Sequence, residues 1–210
     1  MNDEITNRYP FTLFNKGKVK AQLLKEWTTR FQDLQNSKLP YFCMPIQWGS
    51  DFNHGQQWWV APVLINPGWT GLTSYQNRSE LARLNNSLSL FYPQTHKALS
   101  YLQKNNRIHY AAFSILFPNS ILAYHKHNNP NHRKFLCLMH PTNRCGLMHT
   151  RRSSSGKPVK TIHHWKEAGE WLMFNDNDYH SAWNLSTEPR TVLLIDWDKD
   201  CASKPVENYQ

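Results

Sequence analysis

The clearest periodic stretch is 18–36 (KVKAQLLKEWTTRFQDLQN), where Leu23, Trp27, Phe31 and Leu34 recur at helical spacing and predict one apolar stripe. Residues 79–104 predict a second helical region. Pro93 interrupts it, and Pro93-Gln94-Thr95 reads as the first turn of a new helix that ends at Asn105-Asn106. Both regions are expected to support a sheet from outside. Between them, 41–48 and 58–66 are short apolar runs broken by Gly and Pro. After Asn106 the pattern shortens. Segments 107–117, 120–127, 133–140, 146–150, 159–163, 170–175, 180–184 and 190–197 all read as strands, separated by turns such as Pro118-Asn119 and Pro141-Thr142-Asn143. Eight short strands at this spacing predict a mainly β fold, a double-stranded β-helix (jelly roll, cupin-like) buttressed by N-terminal helices. We expect one domain over 1–210, helical up to about residue 106. The stretch 152–158 (RSSSGKP) reads as a flexible loop.

Composition narrows the class. Hydrophobic residues at 40% and charged residues at 19% belong to a globular chain rather than a disordered one. Nine Trp supply the bulky rings that fill the space between two sheets. No apolar run approaches the roughly 20 residues needed to span a bilayer. The opening MNDEITNRYPF lacks a signal-like apolar stretch, so a soluble, cytoplasmic protein is expected. Cys43, Cys137, Cys145 and Cys201 form no C-x-x-C pair and read as small buried hydrophobes. A formal charge of +9 fits nucleic acid, anionic lipid or an acidic substrate. The basic residues are scattered apart from Arg144, Arg151, Arg152 and Lys157, and no helix carries a basic face. An acidic partner is therefore preferred over nucleic acid.

Three features carry candidate chemistry. His125-Lys126-His127 lies in a segment read as a strand, where residues two apart share a face and both imidazoles can reach one point. Imidazole suits iron, copper, nickel and zinc, and a facial iron site commonly adds one carboxylate, which this spacing does not provide. His180 opens a strand after the polar turn of FNDNDYHSAWN. Arg190 stands on the otherwise apolar strand RTVLLIDW; a buried guanidinium there needs an anionic partner, either a ligand carboxylate or an acid such as Asp196 or Glu170.

Phe113-Ser114, Pro118, His125, FNDNDYHSAWN and RTVLLIDW, in that order, resemble the catalytic domain of aspartyl/asparaginyl β-hydroxylases. The likeness runs from about Trp58 to Trp197, and includes Trp165, Glu167 and Gly169. It implies an Fe(II)- and 2-oxoglutarate-dependent dioxygenase that uses O2 to hydroxylate its substrate. His125 and His180 would ligate iron, with His127 a possible third ligand, a group behind the metal or an outward-facing side chain. Arg190 and Ser114 would hold the distal carboxylate of 2-oxoglutarate, and Arg133 a substrate carboxylate. The chain departs from the pattern at three places. One residue is missing between His125 and Arg133, His127 stands where relatives carry Gly or Asp, and Phe135 or His132 occupies the place of a His that contacts the keto-acid end. The resemblance offers two substrate precedents, an Asp or Asn side chain and a lipid A acyl chain. Lacking the hydrophobic segments of the lipid hydroxylases, this chain is expected to act on an acidic protein or peptide. Two other classes stay open: a three-histidine cupin dioxygenase independent of 2-oxoglutarate, and a non-catalytic jelly-roll binding module.

Overall fold

The computed structural model describes residues 17–36, 44–45, 58–66, 78–103, 108–128, 132–140 and 142–198. Its helices are α1 (Gly17–Gln35), α2 (Arg78–Phe91) and α3 (Pro93–Gln103). Leu23, Trp27 and Phe31 form the buried stripe of α1, with the two rings 5.5 Å apart. The region 79–104 is split at Tyr92, because the residue before a proline is driven out of the helical conformation. Pro93 then opens α3. The Glu26 carboxylate caps it, accepting the N–H groups of Gln94 (2.7 Å) and Thr95 (2.8 Å) and the Thr95 hydroxyl (2.5 Å). A carboxylate at the positive end of a helix dipole, taking donors that have no partner within the helix, stabilises that end.

The strands are β1 (Met44–Pro45), β2 (Trp58–Ile65), β3 (Ile108–Leu116), β4 (Ser120–His125), β5 (His132–His140), β6 (Cys145–Arg152), β7 (Pro158–His163), β8 (Trp171–Asn175), β9 (Tyr179–Asn184) and β10 (Arg190–Asp198). One sheet runs β1-β2-β3-β10-β5-β8 and the other β4-β9-β6-β7. From β3 onward the chain crosses back and forth between the two sheets, which is the winding of a double-stranded β-helix. The eight strands expected after Asn106 are all present, with ends shifted by no more than two residues. Leu116, Leu136, Leu138, Leu172, Phe174 and Val192 from the larger sheet pack with Cys145, Leu147 and Ala182 from the smaller, so the core lies between them.

Two compact units are distinguished, one from 1–40, 62–112 and 195–210, the other from 41–61 and 113–194. The second holds the whole four-stranded sheet and every candidate site residue named above. The stretch 152–158, expected to be a flexible loop, is instead a closed hairpin turn. Ser153 N–H donates to the Lys157 carbonyl (2.8 Å), Gly156 N–H donates to the Ser153 carbonyl (2.9 Å), and Gly156 supplies the required positive φ of 77°. Most of the run 41–48 lies outside the described residues, as do Cys43 and Cys201; Cys145 is a buried free thiol.

Candidate metal and cosubstrate site

The site begins with an irregularity in one ladder. Along β4 and β9, Leu122 pairs with Ala182, but His125 pairs with His180, leaving Ala123 and Tyr124 opposite Ser181 alone. A regular ladder would have set Tyr124 against His180 and turned His125 to the opposite face. The bulge advances His125 by one residue, so it enters the inter-sheet space beside His180 while Tyr124 faces outward.

His127 arrives by a different route. β4 ends at His125, so the shared-face argument from strand alternation does not apply to it. Its backbone N–H donates to the Asp176 carbonyl (3.1 Å), and this bond between the β4–β5 and β8–β9 connections turns its ring toward the other two. The outward orientation is not adopted. Ligand atoms of His125, His127 and His180 all lie within 4.8 Å of one another. The ring centroids of His125 and His180 are 4.3 Å apart.

Backbone carbonyls set two of the imidazoles. His125 donates its Nδ1 proton to the Ala123 carbonyl (2.6 Å) and His180 donates its own to the Asp178 carbonyl (2.8 Å), so each Nε2 keeps a lone pair. Metal-bound histidines usually have their second nitrogen anchored in this way. Burial, helped by the neighbouring His125 and His127, pulls the His180 pKa down to about 3 against opposing effects of the Asp178 hydrogen bond and Asp176. His180 is therefore neutral at pH 7, the form that binds a metal. Asp176 is fully buried, with Oδ1 3.9 Å from His127 Nε2.

Ser114 and Arg190 sit on the neighbouring strands β3 and β10. Ser114 Oγ accepts the indole N–H of Trp58 at 2.8 Å, which leaves the hydroxyl proton for another acceptor. Arg190 is 2% exposed, with its guanidinium 5.4 Å from the Trp165 ring centroid. Burial lowers its pKa to about 10, partly offset by Cys145, so it stays charged at pH 7. Among the described residues it forms no ion pair, and its Nε lacks a hydrogen-bond partner. Glu170, one candidate partner, accepts the Lys166 N–H instead. A buried charge without a counter-ion is costly, and an anionic ligand resolves it. Arg133 lies on β5 in register with Asn175, and Phe135 is fully buried against Trp171. Phe135 therefore offers no polar contact to a keto acid.

The aspartyl/asparaginyl β-hydroxylase family model matches residues 22–200. The chain belongs to that family. No curated protein matches it by sequence. Among solved structures, a predicted oxalate decarboxylase from Thermotoga maritima is 20% identical, covering 44% of this hydroxylase-family chain and 68% of its own, with a TM-score of 0.30. A mutant of the Bacillus subtilis oxalate decarboxylase OxdC is 15% identical, covering 74% of this chain but only 28% of its own, at 0.38. The Drosophila melanogaster CENP-C cupin domain is 12% identical, covering 41% and 55%, at 0.32. Superpositions this loose carry no functional argument; the fold rests on the strand order. Among the described residues, no helix of this hydroxylase-family chain is long and apolar enough to cross a membrane.

Sequence reasoning missed Trp58 and Asp176. Trp58 reads as part of an apolar run, and nothing in its spacing ties it to Ser114, 56 residues later. Asp176 is one of two aspartates in FNDNDYH, and only the backbone bond to His127 singles it out.

Proposed function

We propose that the protein is an iron(II)- and 2-oxoglutarate-dependent dioxygenase that hydroxylates an Asp- or Asn-type side chain in an acidic protein or peptide. The observation that carries this reading is Arg190, a buried guanidinium with no ion pair among the described residues, in the unit that also holds three clustered histidines. His125 and His180 would hold iron through Nε2, with His127 as a third ligand. When bound, iron with 2-oxoglutarate and O2 supplies an oxidative decarboxylation, one oxygen atom passing to succinate and the other to the substrate as hydroxyl. Neutral histidines leave the metal charge uncancelled, so a dianionic cosubstrate is favoured electrostatically.

Arg190 and Ser114 bind the distal carboxylate in this reading, one by a charge-assisted pair and the other by its free hydroxyl proton. Trp58 orients Ser114 by taking up the Oγ lone pair, and Trp165 lies against the guanidinium. The burial of both groups keeps water from competing for that carboxylate. Arg133 and Arg151 would favour an acidic substrate, whereas Arg152 shares the outward register of β6 and Arg144 precedes the end of β6 that lies far from His180.

The three-histidine cluster also supports a second reading, a cupin dioxygenase that needs no 2-oxoglutarate. Oxygen uptake with succinate measured in parallel separates the two. The favoured reading requires oxygen consumption and succinate in equal amounts, both dependent on added 2-oxoglutarate. Uptake without 2-oxoglutarate supports the second reading instead.

A further inference from the structure

The bulge that brings His125 inward also places Tyr124 on the outer face of the four-stranded sheet. There it stacks on Tyr179, with centroids 5.0 Å apart and planes 17° from parallel, and its hydroxyl donates to Thr150 Oγ1 (2.7 Å). Strand alternation sets Ile121 on β4, Trp183 on β9 and Ile162 on β7 on this same face. Tyr124 is 47% exposed and Ile162 56%, and Ile121 and Tyr179 are exposed as well. The Trp183 ring covers Gly146, where a Cβ would come within 2.4 Å of Cζ2, so the ring fills the space a side chain would take. Thr150 and Ser181 fall in the same register, so the centre of the face is aromatic and aliphatic with neutral hydroxyls and no charge.

Its border is cationic. Arg152 and Lys160 share the face, and Lys126 Nζ lies 5.3 Å from the Tyr179 ring centroid. None of the strands β4, β6, β7 and β9 contains an Asp or Glu, and the nearest described acid in sequence is Asp178, in the turn ahead of β9. An uncharged, aromatic centre with a charged border is the make-up of a recognition surface.

We propose that this outer face docks an acidic, amphipathic segment of a partner protein, with apolar residues over the tyrosines and isoleucines and carboxylates against Lys126, Arg152 and Lys160. Two considerations exclude a second copy of this chain. A two-fold contact would set two cationic borders together, and the strands of this face carry no Asp or Glu to pair with them. The face is also small, about 15–20 Å by about 20 Å from strand spacing and rise, well short of the ~800 Å² per partner of a stable interface. Nucleic acid is the weaker match, since bases stack on rings but leave Ile121 and Ile162 uncovered. The proposal goes beyond the oxygenase reading and stands apart from it, because no metal is needed for docking.

Fluorescence anisotropy on the full chain tests it, with four labelled probes: a short peptide alternating Glu and Leu, its Lys-Leu counterpart, polyglutamate and an oligo-dT of equal charge. The Glu-Leu peptide is expected to bind best, to weaken with added salt, and to lose about tenfold or more in affinity in Ile162→Asp and in Lys160→Glu. Both residues are exposed and outside the metal site, and an unchanged melting temperature confirms that the variants are folded. Tighter binding of oligo-dT, equal binding of the Lys-Leu peptide, unchanged affinity in both folded variants, or sedimentation as a dimer that Ile162→Asp dissociates would each overturn the proposal.

Discussion

Replacing Arg190 with Met separates a ligand-binding guanidinium from a structural one, because the two roles predict opposite changes in stability. Arg190 is 2% exposed and forms no ion pair among the described residues. Burial lowers its pKa from 12.5 to about 10. At about 1.4 kcal/mol per tenfold change in proton affinity, the unliganded protein carries this charge at a cost of about 3 kcal/mol. Met keeps much of the side-chain volume and removes the charge, so the ligand-free variant should be more stable by about 1–3 kcal/mol. In a chain of this size that raises the melting temperature by ~2–4 °C per kcal/mol. Loss of the pair with the distal carboxylate should at the same time weaken 2-oxoglutarate by about 2–5 kcal/mol, roughly 30-fold to several thousandfold. Thermal melts with and without 2-oxoglutarate, with succinate as the activity readout, measure both effects. A variant that melts lower than the parent yet binds 2-oxoglutarate equally well would refute the reasoning, since that is the signature of a broken structural pair.

Other perturbations test separate parts of the site. If His127 is a ligand, His127→Gly should lower iron affinity by about tenfold or more and remove one nitrogen from the coupled spectrum of the metal; parental affinity and spectrum would exclude a metal role. The pKa of His180, held down to about 3 by burial, makes the metal-free protein less stable as pH falls. The unfolded chain takes up its proton below about 6.5 while the folded chain does not, so pH 5 should cost about 2 kcal/mol from this residue relative to pH 7. Urea unfolding of metal-free protein at the two pH values checks this, and His180→Phe should lessen the dependence. Gly146→Ala would place its Cβ 2.7 Å from the His163 carbonyl oxygen and 2.4 Å from Trp183. It should destabilise by about 1–3 kcal/mol, read as a lower melting temperature; an unchanged melt would mean that β6 and β9 shift apart without cost.

Much of the architecture is legible in the chain because strands after Asn106 are short and bounded by turn residues, and Pro93 marks a helix start by its own geometry. His180 and Arg190 stand out as polar residues at the openings of apolar strands. His125 stands out in the chain as part of His125-Lys126-His127 and through the family resemblance, but the face it takes is not legible, since alternation along an unbroken β4 would turn it away from His180 and a bulge leaves no mark in the sequence. For His127 the reason given by the sequence is wrong even though the ring joins the cluster: a backbone bond to Asp176, about fifty residues away, turns it, not strand alternation. The hairpin 152–158 shows the converse. Ser and Gly there suggest flexibility, yet the same residues satisfy each other's hydrogen bonds and close a turn. Pairings between distant segments, such as Trp58 with Ser114, become visible only once the sheet assembles.

In the proposed function, His125 and His180 hold the metal against which 2-oxoglutarate binds, its far end held by Arg190. Anaerobic calorimetric titration of iron(II), then of 2-oxoglutarate, into the full chain and its His180→Ala variant tests it most directly. One iron per chain is expected, with 2-oxoglutarate binding much tighter when iron is present, and both lost in the variant at an unchanged fold. Iron binding that persists in folded His180→Ala, or 2-oxoglutarate binding indifferent to iron, would contradict it.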